Sequence, residues 1–185
     1  MQGIITTSAR QANFPTPLSS TAEQIYLAAL SQGYASKDDS AMVRQYFPTP
    51  IADVASPADI DTESAFQLVL DLSLGINLVA AAEAIGFALH LQTDFPQFYD
   101  LVSNAAGGSR VFNEHANEMR DGLGEKGTTG ETLDEAIARL EKVVQKARDM
   151  HVPLHLGNAA LSVLLLARRR VDGGVPSTGV VRVFS

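Results

Sequence analysis

The sequence predicts an all-α fold, a helical bundle around one long central helix, and three observations support this. Hydrophobic residues make up 45% of the 185 residues, but tryptophan is absent and aromatic residues reach only 6%. The core must therefore rest on Leu, Val, Ile and Ala, which favours packed helices. Apolar residues recur at helical spacing in successive segments. Residues 61–91 contain no proline and are apolar on every side, as expected of a buried helix.

The first residues predict two helices separated by a proline turn. Residues 1–13 resemble the end of a helix, and the segment 14–17 stops it because each proline disfavours helix in the residue before it. Ser20 and Glu23 have the spacing of a capping box, which predicts that the second helix begins there. Gly33 is expected to end it.

The centre of the chain predicts a short helix over 39–46, a proline-rich linker over 48–60 and the long central helix over 61–91. The central helix would be roughly 45 Å long at 1.5 Å per residue. Its apolar surface is interrupted by Asp71, Asn77, Glu83 and His90. Because charged residues near a bilayer centre are costly, we expect this helix to be surrounded by other helices and not by a membrane.

Further helices are expected over 95–105, 111–120, 132–152 and 157–170. Ser109 is placed to cap the second of them, and Thr132 with Glu135 forms a capping box for the third. The remaining residues, 172–185, are interpreted as a tail with some β-propensity and no obvious partner.

Residues 9–29 and 147–167 match at a constant offset of 138, and both read helix, proline turn, helix. The paired positions include Ala9 with Ala147, Arg10 with Arg148, Pro15 with Pro153, and Leu27 with Leu165. Convergence of two similar helical hairpins is the alternative, but the fixed spacing favours duplication. We therefore divide the chain into the end of a first helical unit (1–47), a linker (48–60), a second unit (61–171) and the tail (172–185).

Composition excludes several classes of function. The net charge of -7 and the absence of a basic stripe argue against nucleic-acid binding. The basic run 168–170 is interpreted as a favourable charge placement at a helix C-terminus, with an anion site or a partner contact as the alternative. Cysteine is absent, so disulfides and thiolate metal sites are excluded. The first ten residues show no signal-peptide pattern, and we expect a cytoplasmic protein.

Three segments carry a resemblance to a known family. Residues 75–84, GINLVAAAEA, resemble the central-helix signature of the C-terminal all-helical domain of the β-hydroxyacid dehydrogenases. That family includes 3-hydroxyisobutyrate and L-threonate dehydrogenases and, more distantly, 6-phosphogluconate dehydrogenase. Residues 98–112 resemble the segment that follows, and residues 9–18 with 33–41 resemble the last two helices and closing motif. The resemblance covers about residues 1–46 and 65–168 and suggests a tandem-duplicated, degenerate copy.

The resemblance implies an upstream Rossmann domain that binds NAD or NADP, with the active site between the two domains. These 185 residues contain no Gly-rich strand-to-helix fingerprint, so we expect no cofactor in this chain. The family's proton-transferring Lys falls on Gln67, and the next position, one turn later, is Asp71. The family's Lys-Asp pair falls on residues 138–139, Ala-Arg. Glutamine cannot transfer that proton, so we predict no catalytic residue.

The remaining site residues are substrate-side candidates. The resemblance places Asn104, Gly107 and Ser109 in the loop that contacts the substrate carboxylate, although Gly and Ser there also suit helix ends. It places Asp38, Asp39 and Ser40 in the closing motif, which also suits an N-cap cluster. His, Asp and Glu residues at metal-ligand spacing are lacking, so no metal is expected.

Three functions remain open. The first is a structural and dimerisation domain, inactive by itself, that forms a homodimer or packs on a helical partner domain. The second is a subunit or fragment of an active oxidoreductase that acts on a small 3-hydroxy acid. The third is a small carboxylate-binding module. No nucleic-acid or membrane partner is expected.

Overall fold

The computed structural model describes residues 2–47, 61–105, 107–122 and 130–185. Within them the α-helices are α1 (Gln2–Gln11), α2 (Pro17–Ser31), α3 (Thr62–His90), α4 (Phe95–Ser103), α5 (Arg110–Gly122), α6 (Leu133–Asp149) and α7 (His155–Arg168). Shorter 3-10 helices cover Tyr34–Ser36, Asp39–Gln45 and Ser177–Val183. These residues contain no strand, which confirms the predicted all-α class. The predicted linker, 48–60, lies outside the described residues.

Most helix boundaries follow the capping signals in the sequence. The Asp61 side chain accepts a hydrogen bond from the Ser64 N–H at the start of α3. Thr132 and Glu135 form the predicted capping box of α6. Gly33 takes the left-handed conformation, with φ of 84°, just past α2. These local signals needed no tertiary information, because each cap is completed by residues a few positions apart.

The predicted start of α2 is wrong. The helix begins at Pro17 with Thr16 as its N-cap residue, and the Thr16 side chain makes no capping bond. Proline is well suited to the first helical turn because it has no N–H to satisfy there. Ser20 and Glu23, interpreted as a capping box, therefore lie inside the helix, where the N–H of Ser20 already bonds the carbonyl of Thr16 at 2.8 Å.

Helix α3 is central, but only its second half is enclosed. The buried residues of α3 cluster from Gly75 onward, and they include Leu78, Val79, Ala82 and Ile85. Over the first three turns, by contrast, Phe66 is 58% exposed and Val69 is 59% exposed. Within this chain the expected surrounding helices therefore enclose the second half of α3 and leave much of 62–74 exposed. By length and composition alone α3 could cross a membrane, although 44% of its most apolar window is buried within the protein.

The C-terminal segment, residues 172–185, is part of the core and not a free tail. Its 3-10 helix buries Val180 and Val181 completely against the central cluster. The Phe184 side chain packs against Gly86 of α3, where an added Cβ would collide with the Phe184 Cβ. The sequence interpretation missed this partner because a short 3-10 element has neither helical nor strand periodicity to reveal it.

The two predicted repeats form two matching hairpins, which we call the first hairpin (α1–α2) and the second hairpin (α6–α7). In each hairpin the second residue after the end of the first helix has a positive φ, 54° for Asn13 and 58° for His151. In both, the next N–H reaches back five residues at 2.8 Å, from Phe14 to the Ala9 carbonyl and from Val152 to the Ala147 carbonyl. This is a Schellman motif at the same place in each repeat.

Candidate functional site

At the position to which the resemblance assigns the family's lysine, two polar side chains are bonded to each other. Gln67 and Asp71 lie one turn apart on α3, and the Gln67 side-chain N–H donates to the Asp71 carboxylate at 2.8 Å. Asp71 is only 8% exposed, whereas Gln67 is exposed. An amide that donates to a carboxylate orients that carboxylate, but it offers no proton to a substrate hydroxyl.

Helix α6 is tied to this pair through Arg139, which occupies the second position of the predicted Lys-Asp motif. Its guanidinium donates a hydrogen bond to the Asp71 backbone carbonyl at 2.8 Å. It also donates two hydrogen bonds to the Glu131 carboxylate, at 2.6 and 2.7 Å. The Glu131 hydrogen bond, opposed by burial, raises the pKa of Arg139, so the cation stays charged. Arg139 therefore anchors α6 to α3 beside the candidate site.

A cleft of about 500 Å³ opens between α3 and α6 at this place. Gln67 and Asp71 line it from α3, and Lys142 and Lys146 line it from α6. The two lysines are four residues apart and so share one helix face. The sequence interpretation followed only the family positions and missed these ammonium groups, although their spacing on an amphipathic helix was a signal that could have found them.

The predicted substrate loop is built from helix ends in the structure. The Asn104 side chain donates to the carbonyl and the carboxylate of Asp100, one turn back on its own helix. The Ser109 hydroxyl accepts from the Phe112 N–H and so caps α5. Gly107 is exposed between them. These contacts account for the Asn and Ser residues locally, and their role toward a substrate stays a prediction.

The predicted closing motif is also an N-cap cluster. The Asp38 carboxylate accepts from the Ser40 N–H at 2.9 Å and so caps the 3-10 helix that Asp39 begins. Hydrogen bonds from the Ser40 hydroxyl and N–H lower the pKa of Asp38. All three residues are exposed and lie on another element than Gln67. A substrate contact by this motif stays a prediction.

Glu83 is a buried side chain whose structural role the sequence did not predict. It is 3% exposed on α3, yet its carboxylate accepts from the N–H groups of Leu18 and Ser19 at 2.8 and 2.9 Å. The Ser19 hydroxyl adds a third bond of 2.6 Å. The carboxylate thus caps α2 from another helix, which explains why Thr16 makes no cap bond. Such a distant cap leaves no local spacing in the sequence.

The described residues contain no group of three or more His, Asp or Glu side chains placed to hold a metal ion. His151 and His155 are four residues apart in sequence, but they lie in different structural environments. His151 is the left-handed residue after α6, and the ring of His155 packs against that of Tyr46 at 6.0 Å between centroids.

No family model matches the chain, but individual relatives do. The chain is 30% identical over 122 residues to L-threonate dehydrogenase of Escherichia coli K12, a match that covers 66% of this chain and 39% of that protein. It is 29% identical over 127 residues to L-threonate dehydrogenase of Haemophilus influenzae, covering 69% and 41%. The chain thus spans about two fifths of the length of the curated relatives it matches.

Solved structures agree with these relatives. A 3-hydroxyisobutyrate dehydrogenase from Salmonella typhimurium matches with a TM-score of 0.59 and 26% identity over 65% of this chain and 41% of that one. Psf3 in complex with NADP+ and 2-OPP matches with a TM-score of 0.54 at 17% identity and supports the fold alone. The resemblance to the C-terminal helical domain of the hydroxyacid dehydrogenases is therefore confirmed.

Proposed function

We propose that this homologue of the helical part of hydroxyacid dehydrogenases has a structural, assembly-forming role and does not itself transfer a proton to or from substrate. The observation that carries the proposal is Gln67, which stands where the resemblance puts the proton-transferring lysine and is bonded to Asp71. A glutamine amide has no accessible pKa for general acid–base catalysis. The exposed apolar turns of α3 support the assembly role.

The proposal includes the environment in which the chain works. The relatives are dehydrogenases, and one structural neighbour holds NADP+, so NAD or NADP is the cofactor class for any parent activity. We place the chain in the cytoplasm, with a second copy or a helical domain as its partner and neither nucleic acid nor membrane. A small hydroxy acid such as L-threonate is the substrate class that the names of the relatives suggest.

The experiment that tests the proposal measures cofactor binding and turnover. The purified chain is titrated with NADH and with NADPH by calorimetry, and it is assayed for NAD(P)+ reduction with L-threonate and with 3-hydroxyisobutyrate. We expect no binding and no turnover. Micromolar nucleotide binding, or turnover that the substitution Gln67→Leu abolishes, would contradict the proposal. Lys37→Met changes an exposed residue outside α3 and α6, and it is the control for loss of turnover.

A second candidate function, carboxylate binding, is favoured by the cleft between α3 and α6. Lys142 and Lys146 line this cleft together with Gln67, Asp71 and Asp149, and ammonium groups recognise carboxylates as point charges. This candidate predicts that L-threonate binds the chain without nucleotide. Replacing both lysines with methionine should then abolish the binding seen by NMR titration, while Lys37→Met leaves it unchanged.

A further inference from the structure

A groove runs between the first hairpin, α3 and α4. Its floor follows α3 from Ile76 to Leu91, which is roughly 22 Å at 1.5 Å per residue. Apolar side chains of the first hairpin and of α4 form its walls: Ile5, Ala22, Phe98 and Val102. Its volume of about 570 Å³ lies within the range of roughly 300–1,000 Å³ that is typical of small-molecule sites. The groove therefore has the size and the lining of a site for a small apolar molecule.

One carboxylate belongs to this apolar lining. Glu83 is the one charged residue among the described residues that line the groove, so no Lys, Arg or His accompanies it there. Glu83 is 3% exposed, and none of the ion pairs formed by the described part of the chain includes it. A buried carboxylate is costly unless other groups compensate its charge.

The N-terminus of α2 compensates this charge only in part. The N–H groups of Leu18 and Ser19 and the Ser19 hydroxyl donate to the Glu83 carboxylate. A helix N-terminus carries roughly half an elementary charge, so about half of the negative charge remains. A carboxylate also offers roughly four lone-pair sites, and these three bonds leave about one unused. Glu83 can thus accept one more hydrogen bond, and its remaining charge favours a cationic donor.

The hydroxyl groups along the groove also present acceptors. The Ser19 hydroxyl donates its hydrogen to Glu83, and the Thr93 hydroxyl donates its hydrogen to a carbonyl in the last turn of α3 at 3.0 Å. Both oxygens keep lone pairs but have no second hydrogen to donate. The third hydroxyl of the lining, on Thr16, is bonded to Ser20. A ligand that donates hydrogen bonds therefore suits the groove better than one that accepts them.

Two further features of the groove favour a positive charge. Leu91 and Thr93 line it where α3 ends, and the C-terminal end of a helix carries roughly half a negative charge. Phe87 and Phe98 also line the groove, and the face of an aromatic ring attracts an ammonium ion within about 6 Å. Charge complementarity therefore selects a cation over an anion of the same shape.

We propose that the groove binds a small molecule that combines a protonated primary amine with an apolar chain. The ammonium group donates to the Glu83 carboxylate and to the Ser19 hydroxyl, because it has three hydrogens to place. The apolar chain lies on the small side chain of Ala80 and extends towards Ile76 and Leu156, which line the same groove. This site is separate from the cleft at Gln67 and does not depend on the function proposed above.

Three probes with the same eight-carbon chain test the chemistry of the site. The natural chain is titrated with octylammonium, octanol and octanoate, and binding is followed by NMR. We expect octylammonium to bind at least about tenfold more tightly than octanol, because it adds a hydrogen bond between two charged groups. Octanoate should not bind at millimolar concentration. Equal affinity for the three probes, or tighter binding of octanoate, would overturn the proposal.

A pair of alanine substitutions on α3 tests the location. Ala80→Leu fills the floor of the groove, and we expect it to abolish the binding of octylammonium. Ala65→Leu makes the same change at an exposed position of α3 outside the groove and should leave binding unchanged. In the natural chain, nuclear Overhauser effects should connect the octyl chain to the methyl groups of Ile76.

A charge variant tests the role of Glu83. Glu83→Gln keeps an acceptor oxygen and removes the negative charge, so octylammonium should then bind no more tightly than octanol. The affinity for octanol should stay the same, and circular dichroism checks the helical fold. If Glu83→Gln fails to fold, the three probes still test the charge and Ala80→Leu still tests the location.

Other occupants of the groove give distinct results. Absence of octylammonium binding at millimolar concentration, or binding that persists in Ala80→Leu, would overturn the proposal. If none of the probes binds and Ala80→Leu lowers the sedimentation mass of the natural chain, another copy of the chain occupies the groove and the proposal is also wrong. Nucleotide binding by a chain that still selects octylammonium would contradict the proposed non-catalytic function and leave the amine site in place.

Discussion

The two hairpins have matching backbone conformations, but different side-chain contacts stabilise their equivalent positions. The offset of 138 pairs Ser19 with Gly157, and each sits at the start of a second helix facing α3. In the first hairpin Ser19 donates to the buried Glu83 carboxylate. In the second, Gly157 lies against the Leu72 side chain. A Cβ added to Gly157 would be 2.9 Å from the Leu72 Cδ1. Glu83 and Leu72 are three turns apart on one face of α3.

The same contrast recurs between the helices of each hairpin. Thr6 donates to Glu23 at 2.6 Å in the first hairpin. Their counterparts in the second hairpin are Val144 and Leu161, which pack against the core as partly buried apolar side chains. One backbone therefore tolerates polar or apolar contacts at equivalent places, provided that both partners change together. Changing one partner alone leaves a polar group without its bond.

The largest expected effect comes from removing the distant cap of the first hairpin. Glu83→Ala leaves the N–H groups of Leu18 and Ser19 and the Ser19 hydroxyl without their acceptor in a buried setting. We expect a loss of about 3 kcal/mol in the free energy of unfolding, measured by urea titration. Glu83→Gln keeps one acceptor oxygen and should lose less.

Hydrogen exchange locates the effect of Glu83→Ala. Protection should fall at the amides of Leu18 and Ser19, while the hydrogen-bonded amides of α7, from Asn158 onward, keep their natural protection. Equal loss of protection in both hairpins would show that Glu83 does not act as a local cap.

A smaller effect is expected from the hydroxyl that distinguishes Ser19 from Gly157. Ser19→Ala removes one bond to an ionised group and keeps the other two, so we expect a loss of about 1.5 kcal/mol. The control is Ser162→Ala on α7, whose hydroxyl bonds the Asn158 carbonyl at an exposed site. That control should change stability by less than about 0.5 kcal/mol, and an equal loss in both variants would remove the special role of Ser19.

Acid should weaken the contact between the two helices of the first hairpin. Hydrogen bonding by Thr6, with a further contribution from Arg10, lowers the pKa of Glu23 from its usual value of 4.5. A lowered folded pKa gives stability that is present above the unfolded pKa and is lost as the pH falls through the lowered value. Between about pH 5 and pH 3, exchange protection in α1 and α2 should therefore fall.

The acid effect has a variant designed from the second hairpin. The double substitution Thr6→Val with Glu23→Leu copies the residues at positions 144 and 161. It should remove one titrating group and flatten the pH dependence of the first hairpin. If protection in α1 and α2 falls with acid equally in the natural chain and in this variant, Glu23 is not the group responsible.

The sequence predicted what depends on near neighbours and missed what depends on distant ones. The all-α class, the bounds of α3 and the caps at Ser109 and Thr132 followed from periodicity and short spacings. The start of α2 was misplaced because its cap is Glu83, 65 residues from Leu18 in the chain. The packing of Val180 and Val181 was missed because a short 3-10 helix lacks the periodicity that would reveal a buried face.

The candidate site divides in the same way. The register of the resemblance located Gln67 and Asp71, and the structure adds the bond between them. The resemblance did not predict that Arg139, 68 residues away on another helix, would donate to the Asp71 carbonyl. Lys142 and Lys146 were not predicted because lysine is common on the exposed face of an amphipathic helix. The sequence does not show which helix faces them.

The smallest expected effect concerns the Schellman residue that both hairpins share. Asn13 and His151 both take left-handed backbone angles, but asparagine tolerates this region better than histidine does. Glycine has no Cβ to oppose positive φ, so His151→Gly should raise the free energy of unfolding by about 0.5–1 kcal/mol and Asn13→Gly by less. Thermal unfolding of the two variants at the same concentration measures the difference. The reverse order would mean that the His151 side chain makes a stabilising contact that offsets its strained backbone, and the hairpins would then differ at their turns as well as at their contacts with α3.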